Sequence, residues 1–320
     1  MPAIEDIGHE LAEALKVYDA DHIEAHLERS DSSHITYRGQ ALESIGRTTA
    51  IGGNIRVLSR GGWGFTSFND INDLPSRIEL ALKQAKYAGN EKSKLAPVAS
   101  MVEKVAAEAD NNPVVIPLAE KKQLLDEYNA LIWQTPKLKT SVIGYGDSYK
   151  KTIFASSSGS YIEQERADIG LRLTAVATSS NEVQQANLSL GSSGNFSQIK
   201  GLHQQIQEMA QHSVELLSAP LVKGGEYTVV LDPTLAGVFV HEAFGHLSES
   251  DFVYENPMLH EIMTLGKEFG NAELNIIDSA ILPDLRGSYK YDDEGVPASK
   301  TYLIREGKLV GRLHSRETAG

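Results

Sequence analysis

The stretch Ile169-Gly170-Leu171-Arg172-Leu173-Thr174-Ala175 puts its larger apolar side chains on every second position. Successive side chains of a strand point to opposite faces, so this alternation buries one face and leaves the other to smaller or polar groups. It is the pattern of an antiparallel sheet covered on one side. Working outward, residues 139–190 read as strands, and the alternation returns where Ile23, Ala25 and Leu27 oppose Glu24, His26 and Glu28. His26, like His22 and His34, is therefore expected on the surface of a strand. Residues 51–58 and 63–68 are expected to pair as a hairpin turning at Arg60-Gly61-Gly62.

Helices break up these strands in unequal blocks. Ile7, Leu11, Ala14, Leu15 and Tyr18 recur at helical spacing, as do Leu124, Leu125, Tyr128, Leu131 and Ile132. Further helices are expected from about Pro75 to Ala88, stopped by Gly89, and from about Leu202 to Leu217. No regular strand–helix–strand rhythm appears, which predicts an α+β fold with helices on a largely antiparallel sheet. Residues 90–118, punctuated by Pro97, Pro113 and Pro117, read as a long connection. The run from Ser218 to Gly225 reads as a boundary. Residues 1–222 are thus expected to form an N-terminal α+β domain, and 223–320 an incomplete β-rich domain. The latter ends abruptly after a hairpin around Glu306-Gly307, as if cut short.

Composition excludes several functions. The 320 residues are 41% hydrophobic and 23% charged, which is ordinary for a globular protein. A net charge of −13 disfavours nucleic acid and anionic membranes as partners. Lys121-Lys122 and Lys150-Lys151 are read as solvated pairs. The absence of cysteine removes disulfides and thiol nucleophiles, so any metal must be held by His, Asp or Glu. Met1 to Asp6 lack a basic start and an apolar run, and no stretch approaches the roughly 18 apolar residues of a membrane span. A cytoplasmic protein is expected. Gly144-Tyr145-Gly146 and Gly191 to Gly194 do not fit phosphate-loop spacing and read as turns. Ser156 to Ser160 lack a nucleophile elbow.

The chemistry concentrates further on. Tyr227 to Leu231 reads as a short buried strand, and Asp232-Pro233 as an N-cap and first-turn proline. In the helix that follows, Leu235, Val238, Phe239, Val240, Ala243 and Phe244 cover every side, which predicts burial. His241, Glu242 and His246 lie within it, and a metal ion would satisfy two imidazoles and a carboxylate together. Five residues of regular helix set the two histidines about 140° apart. Either a π turn or a break at Gly245 would bring them together. Glu242 could then serve as general base. The competing reading is a pair of core histidines bonded to backbone, with Glu242 at the helix surface.

The run Val240-His241-Glu242-Ala243-Phe244-Gly245-His246-Leu247-Ser248-Glu249-Ser250-Asp251 resembles the metal-site helix of the TldD/PmbA metalloproteases. Arg286-Gly287-Ser288-Tyr289, the segment Asp292-Asp293-Glu294-Gly295-Val296-Pro297 and the hairpin from Leu303 to Gly311 resemble later segments of that family. The resemblance implies a zinc-dependent peptidase that cuts unfolded or small peptides in a closed cavity. It makes His241 and His246 metal ligands and Glu242 the base. It also implies a homodimer, or a heterodimer with a related subunit lacking the motif, this chain being the TldD-type partner. The family's third ligand is a cysteine in the C-terminal region, which the resemblance places beyond residue 320; Glu249 is the nearest internal substitute. A non-catalytic binding or assembly subunit and a metal-dependent amidohydrolase stay open. Asp292-Asp293-Glu294 is expected to be a solvated loop, with calcium binding or a place in the substrate cavity as alternatives.

Overall fold

The computed structural model describes residues 4–69, 73–89, 93–107, 112–194, 196–283 and 285–320. Met1 to Ala3, on which the reading of the N-terminus partly rests, lie outside these. The chain runs α1 (Ile4–Leu15), β1 (His22–Arg38), β2 (Ala41–Ser59), β3 (Gly62–Phe68), α2 (Leu74–Ala88), β4 (Val102–Val105), α3 (Leu118–Ile132), β5 (Leu138–Ser156), β6 (Tyr161–Thr178) and β7 (Val183–Ser192). It continues through α4 (His203–Glu215), α5 (Pro233–Val240), α6 (Ser250–Glu255), α7 (Pro257–Ile262), β8 (Ile276–Ser279), β9 (Lys300–Arg305) and β10 (Lys308–Leu309).

A seven-stranded sheet is ordered β3-β2-β1-β5-β6, and β4 and β7 share the outer edge of β6. Every pairing is antiparallel except β4 with β6. The alternation at residues 169–175 does what the sequence implies: Ile169, Leu171, Leu173 and Ala175 are buried on one face. β1 and β5, 17 and 19 residues long, each reach under two helix pairs. At one end Ile7, Leu11 and Leu15 of α1 and Ile78 and Ala81 of α2 pack on Ile23, Ala25, Leu27 and Ile153. At the other, Leu125, Tyr128 and Ile132 of α3 and Ile206 and Ala210 of α4 pack on Ile35, Ile143 and Leu171. The β2–β3 hairpin turns at Arg60 (φ 54°) and Gly61 (φ 71°), the primed geometry that matches strand twist.

Several expectations need correction. Lys121 is not solvated: its side chain is fully buried, with Nζ 2.6 Å from Asp147 and 2.8 Å from the Ser33 hydroxyl. Lys151 is likewise buried and paired with Glu5, Glu163 and Glu165. His22 and Glu24 are buried as well, at 4% and 1% exposure. Their face of the sheet is covered because residues 286–295 and 316–317 lie over it. Tyr291 packs on Phe154 and Ile162, Trp63 donates to Glu317 at 3.0 Å, and Arg166 donates to the carbonyl of Ser288. Gly144 and Gly146 lie inside β5 rather than in a turn, facing open space. The connection at 90–118 contains the short strand β4, paired to β6.

The C-terminal residues build a smaller three-stranded sheet, β10-β9-β8. Phe244, Val253, Met263, Ile276, Leu303, Ile304 and Leu309 form its core. The expected hairpin turns at Glu306 (φ 50°) and Gly307 (φ 79°). A Cβ on Gly307 would come within 2.3 Å of the Gly270 carbonyl, so close approach as well as φ calls for glycine there.

Candidate metal centre

The site is built by the start and the end of one helical run. Asp232 Oδ1 accepts from the amides of Thr234 and Leu235 at 2.9 and 3.1 Å, and Pro233 occupies the first turn. This is the cap and proline arrangement that starts helices. After Val240 the ladder changes: His241 to Gly245 form a π turn, and the His246 amide donates to the His241 carbonyl. A turn closed over five residues returns His246 to the face of His241, as no regular α-helix would. The imidazole centroids are 4.5 Å apart with planes inclined at 68°. Gly245 has φ −56° and ψ −54°, so the chain bulges and does not break.

One ligand atom each from His241, Glu242 and His246 lies within 4.8 Å of the other two. Donors about 2.1 Å from a common zinc ion can be no more than about 4.2 Å apart. Small rotations of these exposed side chains close that gap: the two imidazoles are donors suited to zinc, and the carboxylate beside them is within reach of a water bound there. The residues present therefore fit a divalent ion.

The turn is held from below. Phe244 is buried against Phe269 in an edge-on contact at 5.3 Å. The Ser248 hydroxyl, fully buried, donates to the Phe244 carbonyl at 3.0 Å. The Leu313 amide donates to Ser248 and the Ser250 amide to Leu313, at 2.8 and 2.9 Å. Sequence reasoning missed Phe244 and Ser248 as supports; nothing in their spacing announces them.

The burial expected of this helix is not found. Leu235, Val238 and Phe239 are 51–59% exposed, and His241, Glu242 and His246 are exposed too. The desolvation argument for a metal thus does not apply here, and the π turn carries the reading instead. Tyr227 to Leu231 form no strand: the segment is exposed and joins no ladder with the described residues. Its β-branched composition suits a strand, but a strand exists only where a neighbour completes its ladder. Glu249 stands outside the three-residue cluster, with Oε1 3.0 Å from His246 Nδ1. Asp292 and Glu294 do not form a solvated loop. Asp292 caps the amides of Glu294 and Val296 at 2.9 and 2.8 Å, and Glu294 accepts from the Arg316 amide at 2.7 Å. Burial pushes the Glu294 carboxyl above its ordinary value.

Fold and site define a class: an α+β scaffold carrying a His-Glu-x-x-x-His turn on a short helix. Models of the PmbA/TldA metallopeptidase family match in three parts, domain 1 at residues 24–88, the central domain at 111–217 and the C-terminal domain at 224–320. Metalloprotease slr0863 of Synechocystis is 45% identical over 303 residues, covering 94% of this chain and 65% of that protein. Metalloprotease MJ0996 of Methanocaldococcus jannaschii is 34% identical, covering 94% and 67%. A Thermotoga maritima crystal structure described as a putative modulator of a DNA gyrase superposes with TM-score 0.81 at 18% identity, over 99% of this chain and 72% of that one. TldE from Thermococcus kodakarensis gives 0.70 at 16% identity, over 98% and 70%. The chain belongs to the TldD/PmbA family and spans about two thirds of the length of these curated relatives. Among the described residues no helix is long and apolar enough to cross a membrane.

Proposed function

We propose that the chain is the metal-site part of a cytoplasmic zinc-dependent peptidase acting on unfolded or small peptides. His241 and His246 hold the metal, and Glu242 is the general base. The observation that carries this reading is the π turn, which sets two imidazoles and a carboxylate within 4.8 Å of one another. The relatives' name, metalloprotease, supports it. Two histidines leave zinc short of its usual three or four protein ligands, so the proposed site calls for a further donor.

The ion supplies Lewis acidity, towards a water and towards a scissile carbonyl. The chain's own residues supply orientation and proton transfer. His241 presents its ring from the first residue of the π turn and His246 from the residue just after it. Glu242, adjacent to His241, accepts a proton at its carboxylate and returns it to the leaving amine. Peptide is the substrate, and a second copy or a related subunit closes the cavity. The net charge of −13 argues against nucleic acid.

The test is Glu242→Gln, with zinc content measured alongside hydrolysis of an unfolded protein substrate. Hydrolysis is expected to be lost and the metal retained. A variant that still cleaves would overturn the assigned base.

A further inference from the structure

The carboxylate of Glu249 does not join the cluster formed by His241, Glu242 and His246. It faces Nδ1 of His246 at 3.0 Å, which leaves Nε2 as the ring nitrogen free of that contact. An ionised carboxylate can only accept, so the imidazole nitrogen facing it carries the proton. A neutral imidazole has one proton to place. Fixing it on Nδ1 leaves the Nε2 lone pair bare.

We propose that Glu249 is a positioning residue for His246: it selects the Nδ1–H tautomer and aims Nε2 at the cation. The inference rests on the metal reading above. It goes beyond that reading by giving Glu249 an orienting role in place of the third-ligand role its sequence position suggested.

The backbone around Glu249 is built to hold this contact. Glu249 leaves helical geometry at ψ 120° and forms a bridge to Leu313. The residues on either side, Ser248 and Ser250, are both buried and both bonded to Leu313. Only the side chain of Glu249 is left to move, and its contact to His246 is charge-assisted, which strengthens and shortens such bonds. Histidine ligands commonly donate their second ring proton to a carboxylate, and loss of that partner typically costs about 10- to 100-fold in metal affinity.

The experiment uses the 320-residue chain with labelled histidines, stripped of metal. Long-range proton–nitrogen correlation reads the tautomer of His246, assigned with a His246→Gln variant. Visible absorption during Co(II) titration reads metal affinity. The expected result is a protonated Nδ1 and bare Nε2 in the unmodified chain. In Glu249→Ala the proton should redistribute between the nitrogens and Co(II) affinity fall about 10- to 100-fold. Glu249→Gln, whose amide oxygen still accepts, should restore part of the bias. An Nε2–H tautomer in the unmodified chain overturns the proposal, as does a Glu249→Ala chain with unchanged tautomer and affinity. A Glu249-dependent tautomer with a Co(II) affinity that Glu249→Ala leaves unchanged supports the orienting contact and overturns its tie to the metal reading, so the two failures are distinct.

Discussion

The amide of His246 donates to the carbonyl of His241, and the two imidazoles stand 4.5 Å apart, centroid to centroid. One inserted residue turns a helix that would splay the two histidines apart into one that brings them together. The insertion is confined to five residues, with α5 before it and a single 3₁₀ turn after it. Phe244 and Ser248 hold it against the small C-terminal sheet.

Gly245 is not needed there for its backbone freedom. Its φ and ψ are helical, and a Cβ would meet His241 Nδ1 at 3.7 Å, an ordinary contact. Gly245→Ala is therefore expected to keep the π turn and Co(II) binding while raising stability by about 0.4–1 kcal/mol through the unfolded chain. Thermal melting together with Co(II) titration checks this. Loss of binding in the alanine variant would mean that the turn needs glycine.

The buried Lys121–Asp147 pair makes a sharp stability prediction. Both side chains are fully buried, Ser33 bridges them, and the Tyr145 hydroxyl also donates to Asp147. Lys121→Ala leaves the carboxylate charged in a dry core, a loss of about 3–5 kcal/mol. Lys122→Ala, one residue away on the exposed side of α3, should cost less than about 0.5 kcal/mol. Urea denaturation of both variants tests the contrast, and equal losses would contradict it.

Acid should weaken the N-terminal sheet in two stages. Burial holds His26 below its ordinary value near 6.5, against the pull of Glu24 and Asp293. Its contribution to stability is complete above 6.5 and is lost as pH falls through the lowered folded value. Burial tends to raise Glu24, but the His22 hydrogen bond and the Arg56 charge outweigh it and hold the carboxyl below 4.5. That contribution is present above 4.5 and is lost as pH falls through the lowered folded value. His26→Gln should flatten the first stage alone in chemical denaturation repeated across pH. An unchanged profile in that variant would remove His26 from the account.

What the sequence discloses here depends on how local the cause is. Alternation at 169–175 reports its own burial because one strand face meets helices along its whole length. The π turn is legible because the ligands' spacing is itself the signal, and both hairpin turns are legible from glycine next to a polar residue. Lys121 is misread because its partner, Asp147, is 26 residues away on another element. Glu24 and His22 are misread because the segment that covers them lies near the far end of the chain. The apolar residues of α5 suggest a core that no described residue supplies.

The central claim is that His241 and His246 converge on one cation, and paramagnetic broadening tests it most directly. Co(II) is added stepwise to the labelled chain while every histidine side chain is followed, a measurement that also registers weak binding. The account predicts that His241 and His246 broaden together at the same metal concentration, that either single alanine substitution abolishes the effect on the other, and that His203 and His212 stay sharp. Broadening of the two rings at different metal concentrations, or none at either, would contradict it.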